Sequence, residues 1–227
     1  MAEVFRNVNT FFVDQRLDEM PAFPEWGSDR IESARRELEE LLEKRQSVLD
    51  ETPDALGTQY YWISYVLRAL GYCGSVSEPP PGGMETEEPR PDFTLFYSAE
   101  DFRRAVALRG RREYFANALG VMHVVGWGAS LDKYDAEEDG PDYSPAFDID
   151  RHLRSTGTTW GILTNGRIWR LYHRDSSGLM NTYFELDLVE ALESNDADAF
   201  KYFWLVFSPE ALGGSEVGGA IVQRLLN

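Results

Sequence analysis

The amino-acid sequence predicts an α/β fold, with a mixed central sheet of four or five strands flanked by helices and an N-terminal helical segment before it. Three observations carry this expectation. Asn165-Gly166 is a strong hairpin signal between two apolar runs, since both residues tolerate the positive φ of a type I′ turn. Short apolar runs at 93–97 and 119–126 are typical of strands. Residues 29–50 carry apolar side chains at helical spacing.

The elements can be assigned in chain order. The helix at 29–50 begins at a capping box, Asp29 with Glu32, and a second helix begins at Thr52-Pro53 and ends at Gly71. Further elements are predicted as follows: strands at 93–97 and 119–126, a helix at 147–153, the hairpin at 158–172, a strand at 182–188 and a helix at 196–207. We therefore expect a helical segment at 1–75 that packs on the core, a Pro/Gly-rich linker at 76–91, an α/β core at 92–207 and a flexible tail at 208–227.

The amino-acid composition disfavours several classes of protein. The formal net charge is −17, which is the wrong sign for a protein that binds DNA by itself. Non-specific affinity for DNA comes from Lys and Arg side chains that contact phosphates. A single cysteine excludes an internal disulfide. No apolar run approaches the ~20 residues of a membrane span and no signal peptide is recognisable, so we expect no membrane partner and a cytoplasmic location.

Three segments share a resemblance to a known group of proteins. They are RPDFTLF at 90–96, WGASLD at 127–132 and TGTTWGILTNGRIWRLYH at 156–173. Together they resemble the N-terminal nuclease domain of type IIG restriction-modification enzymes and related methyltransferase-linked defence proteins, in the PD-(D/E)XK superfamily. The resemblance runs from about residue 52 to residue 207. It implies a restriction-endonuclease-like sheet, a role in restriction-modification or phage defence, and a DNA methyltransferase module or subunit as partner.

The resemblance also implies where a catalytic site would lie. In that superfamily an Asp at the start of one strand and a Glu-x-Lys on the next hold Mg²⁺ and the attacking water. Asp92 fills the first position, whereas His123 and Val125 occupy the Glu and Lys positions. Asp148 stands where a Gln is usual, and Tyr60 with Tyr61 where a helix Glu is common. These exchanges predict a degenerate domain that does not cleave DNA and serves as a scaffold or DNA-positioning module.

Two other functions stay open. The first is a metal-dependent endonuclease with a rearranged site, in which Asp92, His123 and Asp148 bind Mg²⁺ or Mn²⁺; otherwise no cofactor is expected. The second is an acidic decoy or inhibitor protein. Structural roles compete at single residues, because Asp92 at a strand start can accept from backbone amides and His123 can be a hydrogen-bonded core histidine.

One basic cluster is the candidate DNA contact. Arginine can fork to phosphate oxygens, although solvated arginines that balance nearby carboxylates are the plainer interpretation. Given the net charge, we expect DNA binding to be weak or to occur only within a larger assembly. The cluster comprises Arg103, Arg104, Arg109, Arg111 and Arg112.

Overall fold

A computed structural model describes residues 5–76, 90–133, 144–194, 196–214 and 220–226. Within these residues the fold is α/β, a mixed sheet flanked by helices, which confirms the predicted class. Seven strands form one sheet: β1 (Phe5–Val8), β2 (Cys73–Val76), β3 (Phe93–Phe96), β4 (Gly120–Val124), β5 (Trp160–Thr164), β6 (Ile168–His173) and β7 (Tyr183–Asp187).

The described residues form eleven α-helices, three of which are longer than ten residues. They are α1 (Asp14–Glu19), α2 (Asp29–Leu49), α3 (Ala55–Thr58), α4 (Ser64–Leu70), α5 (Ala99–Val106), α6 (Pro145–Thr156), α7 (Arg174–Ser177), α8 (Leu188–Glu193), α9 (Ala197–Phe207), α10 (Pro209–Gly213) and α11 (Ile221–Leu226). Three 3₁₀ turns lie at Met20–Ala22, Pro24–Gly27 and Arg112–Asn117, and a π-helical turn, Gln59–Ile63, joins α3 to α4. None of the described helices is long and apolar enough to cross a membrane.

The strand order is β1-β7-β6-β5-β4-β3-β2. Every neighbouring pair is antiparallel except β4 with β5, which run parallel because α6 connects them across the sheet. The five strands expected from the sequence form the centre. Two more strands, β1 and β2, lie at the edges and come from the segment expected to be helical. Their sequences, FRNV and CGSV, are short and partly polar, which hides them from a search for apolar runs.

The two faces of the sheet pack differently. Alternate side chains of β3 to β7 enter a large apolar cluster with α2, α4, α8 and α9, which we call the apolar face; Trp169, Leu171 and Phe184 are fully buried there. The opposite face packs on α5, α6 and the Arg112–Asn117 turn through a smaller cluster that includes Val121, Val125 and Leu163. The site residues lie on this second face.

The expected domain boundaries need correction. The tail is not flexible where it is described, since α10 and α11 bury Ala211, Ile221 and Leu225 in the apolar face. The sheet is not confined to 92–207, because β1 and β2 belong to it. The helices of the first 75 residues do pack on the core, through side chains such as Ile31 and Leu38. Most of the expected linker, residues 77–89, lies outside the described residues, and so does the acid-rich stretch at 134–143 between the second predicted strand and the next helix.

The hairpin forms where expected, with a different turn. Gly166 has a positive φ, +88°, whereas Asn165 does not. A type I′ turn centred on Asn165-Gly166 needs a positive φ at both residues, so this prediction is wrong. Asn165 instead uses its side chain: Oδ1 accepts from the backbone N–H groups of Arg167 (3.1 Å) and Ile168 (2.8 Å). Its Nδ2 donates to the carbonyl of Ala129 at 2.6 Å. The turn therefore fastens the WGASLD loop to the sheet.

Candidate functional site

Asp92 lies immediately before β3 and is the centre of the candidate site. Its backbone N–H donates to Met122 O of β4 at 2.9 Å. Because Phe93 pairs with Met122 in the antiparallel ladder, one further step places Asp92 opposite His123. The sequence-predicted Asp position and the first residue of the expected Glu-x-Lys position are therefore neighbours across two adjacent strands.

The Asp92 carboxylate accepts three hydrogen bonds from the protein. Gln59 Nε2 donates to Oδ1 at 2.7 Å, and Val124 N donates to Oδ2 at 2.8 Å. His123 Nδ1 lies 2.9 Å from the same Oδ2, and since a carboxylate accepts, Nδ1 is the donor. The side chains of Asp92 and His123 are only 21% and 17% exposed. The carboxylate is thus held by one amide, one imidazole and one backbone N–H.

Gln59 reaches Asp92 because the helix between residues 55 and 70 is interrupted. The π-helical turn begins at Gln59, whose carbonyl accepts from the backbone N–H of Ser64 and also from Ser64 Oγ at 2.8 Å. Gln59 is buried, whereas its neighbour Tyr60 is 68% exposed. The helix side chain that contacts Asp92 is therefore Gln59, and not Tyr60 or Tyr61, which the resemblance places at the position of the helix Glu. Nothing in the local pattern signals a π-helical turn here.

Val125 and His123 are two residues apart, and the period of a strand sends both towards α6. Val125 belongs to the smaller apolar cluster and is 7% exposed; its backbone N–H donates to Thr164 O at 2.9 Å. A hydrocarbon therefore occupies the place where the resemblance implies a lysine.

Helix α6 approaches this pair from the same face. The ring of His152 lies 5.6 Å from that of His123, and His152 is 1% exposed. Asp148 lies one helical turn before His152, its side chain is 15% exposed, and Arg151 Nη1 is 3.9 Å from its Oδ1. The structure thus brings α6 to the site, with His152 as the residue whose ring lies beside His123.

The same row of the sheet continues away from Asp92. Strand register pairs His123 with Leu163, Leu163 with Arg170, Arg170 with Glu185, and Glu185 with Arg6. We call these five residues together with Asp92 the cross-sheet row. All of them face α6 or the edge beside it, because register-paired residues share a face.

Two members of the row form a buried ion pair. Arg170 Nε donates to Glu185 Oε2 at 2.6 Å, and both side chains are less than a tenth exposed. Arg170 Nη1 also donates to Asp132 Oδ1 at 2.7 Å, and Arg6 Nε donates to Glu185 Oε1 at 2.7 Å. The hydrogen bond from Arg170 lowers the pKa of Asp132. The charges of this pair are therefore matched, and Asp132 fixes the end of the WGASLD loop.

Sequence reasoning did not single out this network, although a signal was present. Arg170 alternates with Trp169 and Leu171 in a strand, so a charged residue stands between two inward-facing apolar ones. A charged residue in a buried strand almost always has a partner. The partners, Asp132 and Glu185, are 38 and 15 residues away and can be assigned only once register is known.

The residues of the site do not match what a magnesium ion needs. Mg²⁺ prefers octahedral oxygen ligands that include one or two carboxylates. Here both oxygens of Asp92 accept from protein donors, and its partner on β4 is an imidazole. Among the described residues, no group of three or more His, Cys, Asp and Glu side chains is placed to hold a metal ion. The trio of Asp92, His123 and Asp148 stays a prediction; within it, Asp92 and His123 share a hydrogen bond.

The five candidate DNA-binding arginines are all exposed and lie on α5 and just after it. Arg104 pairs with Glu100 within α5, and Arg103 Nε donates to the carbonyl of Ala99 at 3.2 Å. Arg112 instead faces a cavity beside the C-terminus of α6. The cluster is thus divided between a helix surface and a cavity wall.

Comparison of the chain with models of protein families finds no match. Searches of curated proteins and of solved structures also find no significant match. The resemblance described above therefore depends on the three sequence segments and on the positions that their residues take.

Proposed function

We propose that the chain is a restriction-endonuclease-like domain that no longer cleaves DNA, and that it acts in restriction-modification or phage defence as a scaffold or DNA-positioning module. The observation that carries the proposal is the environment of Asp92. The aspartate stands at a strand start beside the strand that carries His123 and Val125, where a nuclease of this kind would place its Glu and Lys. The arrangement is nuclease-like, while the chemistry at two of its three positions is not.

Hydrolysis of a phosphodiester needs an activated water and stabilisation of the developing negative charge. A lysine in the site would contribute to that stabilisation; Val125 contributes only hydrocarbon. A second carboxylate at this position would share a metal ion with Asp92. His123 instead donates a hydrogen bond from Nδ1 to the Asp92 carboxylate. The remaining carboxylate is an acceptor that joins β3, β4 and the π-helical turn. In this proposal Asp92 keeps the position of a nuclease aspartate, but its role is structural.

The proposed partner is a DNA methyltransferase module or subunit. The net charge of −17 opposes an independent grip on DNA, so DNA would be held mainly by that partner. The exposed arginines of α5, Arg103 and Arg104, are the side chains that would contact phosphates from this domain.

A cleavage assay tests the proposal. Purified chain should leave supercoiled and linear DNA intact with Mg²⁺ or Mn²⁺ across a range of salt concentrations. Cutting that persists through purification and disappears in Asp92→Ala would overturn it.

A gain-of-binding variant sharpens the same test. His123→Glu places a second carboxylate beside Asp92, so Mg²⁺ should raise the thermal midpoint of this variant more than that of the natural chain. The matched control is the double variant His123→Glu with Asp92→Asn, which should lose the response. An equal Mg²⁺ response in the natural chain would mean that its site already binds the metal.

A rearranged metal site is the second candidate, favoured by one observation. His152 brings a second imidazole to within 5.6 Å of the His123 ring, and imidazole with carboxylate suits Mn²⁺ or Zn²⁺ better than Mg²⁺. Calorimetric titration of Mn²⁺ and Zn²⁺ into the natural chain and into His123→Ala separates the candidates. Saturable binding lost in His123→Ala would favour this second function.

A further inference from the structure

A cavity lies at the end of the sheet where β4 and β5 begin, away from Asp92. Its volume is about 390 Å³, within the range of small-molecule sites. Its wall is formed by the Arg112–Asn117 turn, by residues 156–159 after α6, and by Arg174 at the start of α7. Apart from Arg112, none of the residues discussed for the nuclease-like site lines it.

Two guanidinium groups converge in this cavity on a single residue, Gly157. Arg174 Nη1 donates to the Gly157 carbonyl at 2.6 Å. Arg112 Nη2 lies 3.9 Å from the position that a β-carbon on Gly157 would occupy. Gly157 ends α6 with φ +73°, a left-handed cap that exposes its α-carbon to Arg112. Both guanidinium groups therefore lie beside Gly157.

A structural role explains only one of them. A cation near the C-terminus of a helix is stabilised by the last carbonyls, which accounts for Arg174 on Gly157. Arg112 is exposed, and within the described part of the chain its side chain makes no hydrogen bond and no ion pair. Such a guanidinium on a cavity wall retains all five N–H donors for a ligand.

The charge of the wall indicates the ligand. Two arginines and one carboxylate, Glu113, line the cavity, in a chain whose net charge is −17. Arg174 Nε also lies 3.7 Å from Oδ1 of Asp175, an exposed carboxylate outside the lining. Arginine pairs form forked hydrogen bonds with phosphate oxygens. A phosphate monoester carries about −1.5 to −2 charges at pH 7, which matches two guanidiniums better than the single charge of a diester. Thr158 and Thr159 line the same space, and its volume leaves room for an organic group.

We propose that the cavity between Arg112 and Arg174 binds a phosphate monoester of about the size of a mononucleotide. The site is independent of the proposed nuclease-like role, because neither Asp92 nor His123 contributes to it. Its phosphate has two conceivable sources, the free anion and a nucleoside 5′-monophosphate.

Calorimetric titration of the full chain, at constant ionic strength, tests the proposal with three probes: inorganic phosphate, adenosine 5′-monophosphate and adenosine. We expect saturable binding of the monophosphate, weaker binding of phosphate and none of adenosine. Equal affinities for phosphate and the monophosphate would support a phosphate site but would overturn the claim that the cavity also binds the organic group. Binding should weaken below about pH 6, where the monoester loses its second charge.

Variants of the cavity wall should change the affinity for the monophosphate in opposite directions. Arg112→Gln, which breaks no described contact, should weaken binding about tenfold or more, and Arg112→Lys should restore part of it. Glu113→Gln should tighten binding, because it removes the one carboxylate of the wall. Arg36→Gln, at an exposed arginine of α2 outside the cavity, is the matched control and should change nothing. No saturable binding up to about 10 mM of either phosphate probe, or binding that Arg112→Gln leaves intact, would overturn the proposal.

Discussion

The two faces of the sheet are stabilised in different ways. The apolar face buries large rings such as Trp169, Phe184 and Phe203, all fully inaccessible, and its contribution grows with the area removed from water. The opposite face carries the cross-sheet row, where Asp92 with His123 and Arg170 with Glu185 depend on hydrogen bonds of specific geometry. The first face depends on packed volume, whereas the second face adds these polar pairs to its own, smaller apolar cluster. Sites for ligands or partners are therefore to be sought on the second face, where polar groups are already accommodated.

Truncation of Trp169 should have the largest effect. Its ring is fully buried, with the rings of Phe203 and Phe207 at 5.2 and 5.7 Å, and its Nε1 donates to Gly166 O at 3.3 Å. Trp169→Ala should lower the free energy of unfolding by about 3–5 kcal/mol in urea titrations. Tyr60→Ala, at an exposed ring, is the control and should stay within about 0.5 kcal/mol. A loss of less than about 1 kcal/mol for Trp169→Ala would show that the apolar face is not packed as described.

At the ion pair of Arg170 and Glu185, the second face should respond to the pairing of charges more than to side-chain volume. Arg170→Met keeps much of the side-chain bulk but leaves Glu185 with only Arg6, whose side chain is 60% exposed, so a loss of about 2–4 kcal/mol is expected. The double variant Arg170→Met with Glu185→Leu removes both charges and should recover most of that loss. If the double variant is less stable than Arg170→Met alone, the comparison between the faces fails.

The same network predicts a pH dependence. Arg170 lowers the pKa of Asp132, and a carboxyl whose folded pKa is depressed adds stability above its unfolded pKa and loses it as the pH falls through the folded pKa. The natural chain should therefore lose part of its advantage over Arg170→Met below about pH 4. Unfolding free energies of both proteins, measured from about pH 6 to about pH 3, check this. An advantage that widens in acid would contradict the assigned hydrogen bond.

The hairpin tip joins the two faces and offers a smaller, steric test. A β-carbon on Gly166 would lie 2.4 Å from the Trp127 ring, at φ +88°. Gly166→Ala should cost about 2–3 kcal/mol, through both strain and overlap. Gly110 has φ +76° and no atom within 4 Å of a β-carbon, so Gly110→Ala isolates the strain and should cost only about 1 kcal/mol. Equal losses in the two variants would show that the tip is not closely packed.

Local sequence patterns predicted the central elements of the fold. The elements that these patterns did not predict depend on contacts between residues far apart in the chain. The α2 periodicity, the hairpin and α9 are encoded by neighbouring residues, and all three form as expected. Edge strands β1 and β2 depend on partners far along the chain, β7 and β3, which local composition does not reveal. In the site, Asp92 and His123 were predicted together from the resemblance. Gln59 was missed because its approach depends on a π-helical turn.

The central claim is that Asp92 is a hydrogen-bonded structural acceptor in a nuclease-like site. The unfolding free energy of Asp92→Ala tests it most directly, measured with and without Mg²⁺ and Mn²⁺ beside the natural chain. Removal of the carboxylate leaves the donors of Gln59, His123 and Val124 without their acceptor, so a loss of about 1–3 kcal/mol that is independent of metal is expected. A variant as stable as the natural chain, together with metal-dependent stabilisation of the natural chain alone, would contradict the account and restore Asp92 as a metal ligand.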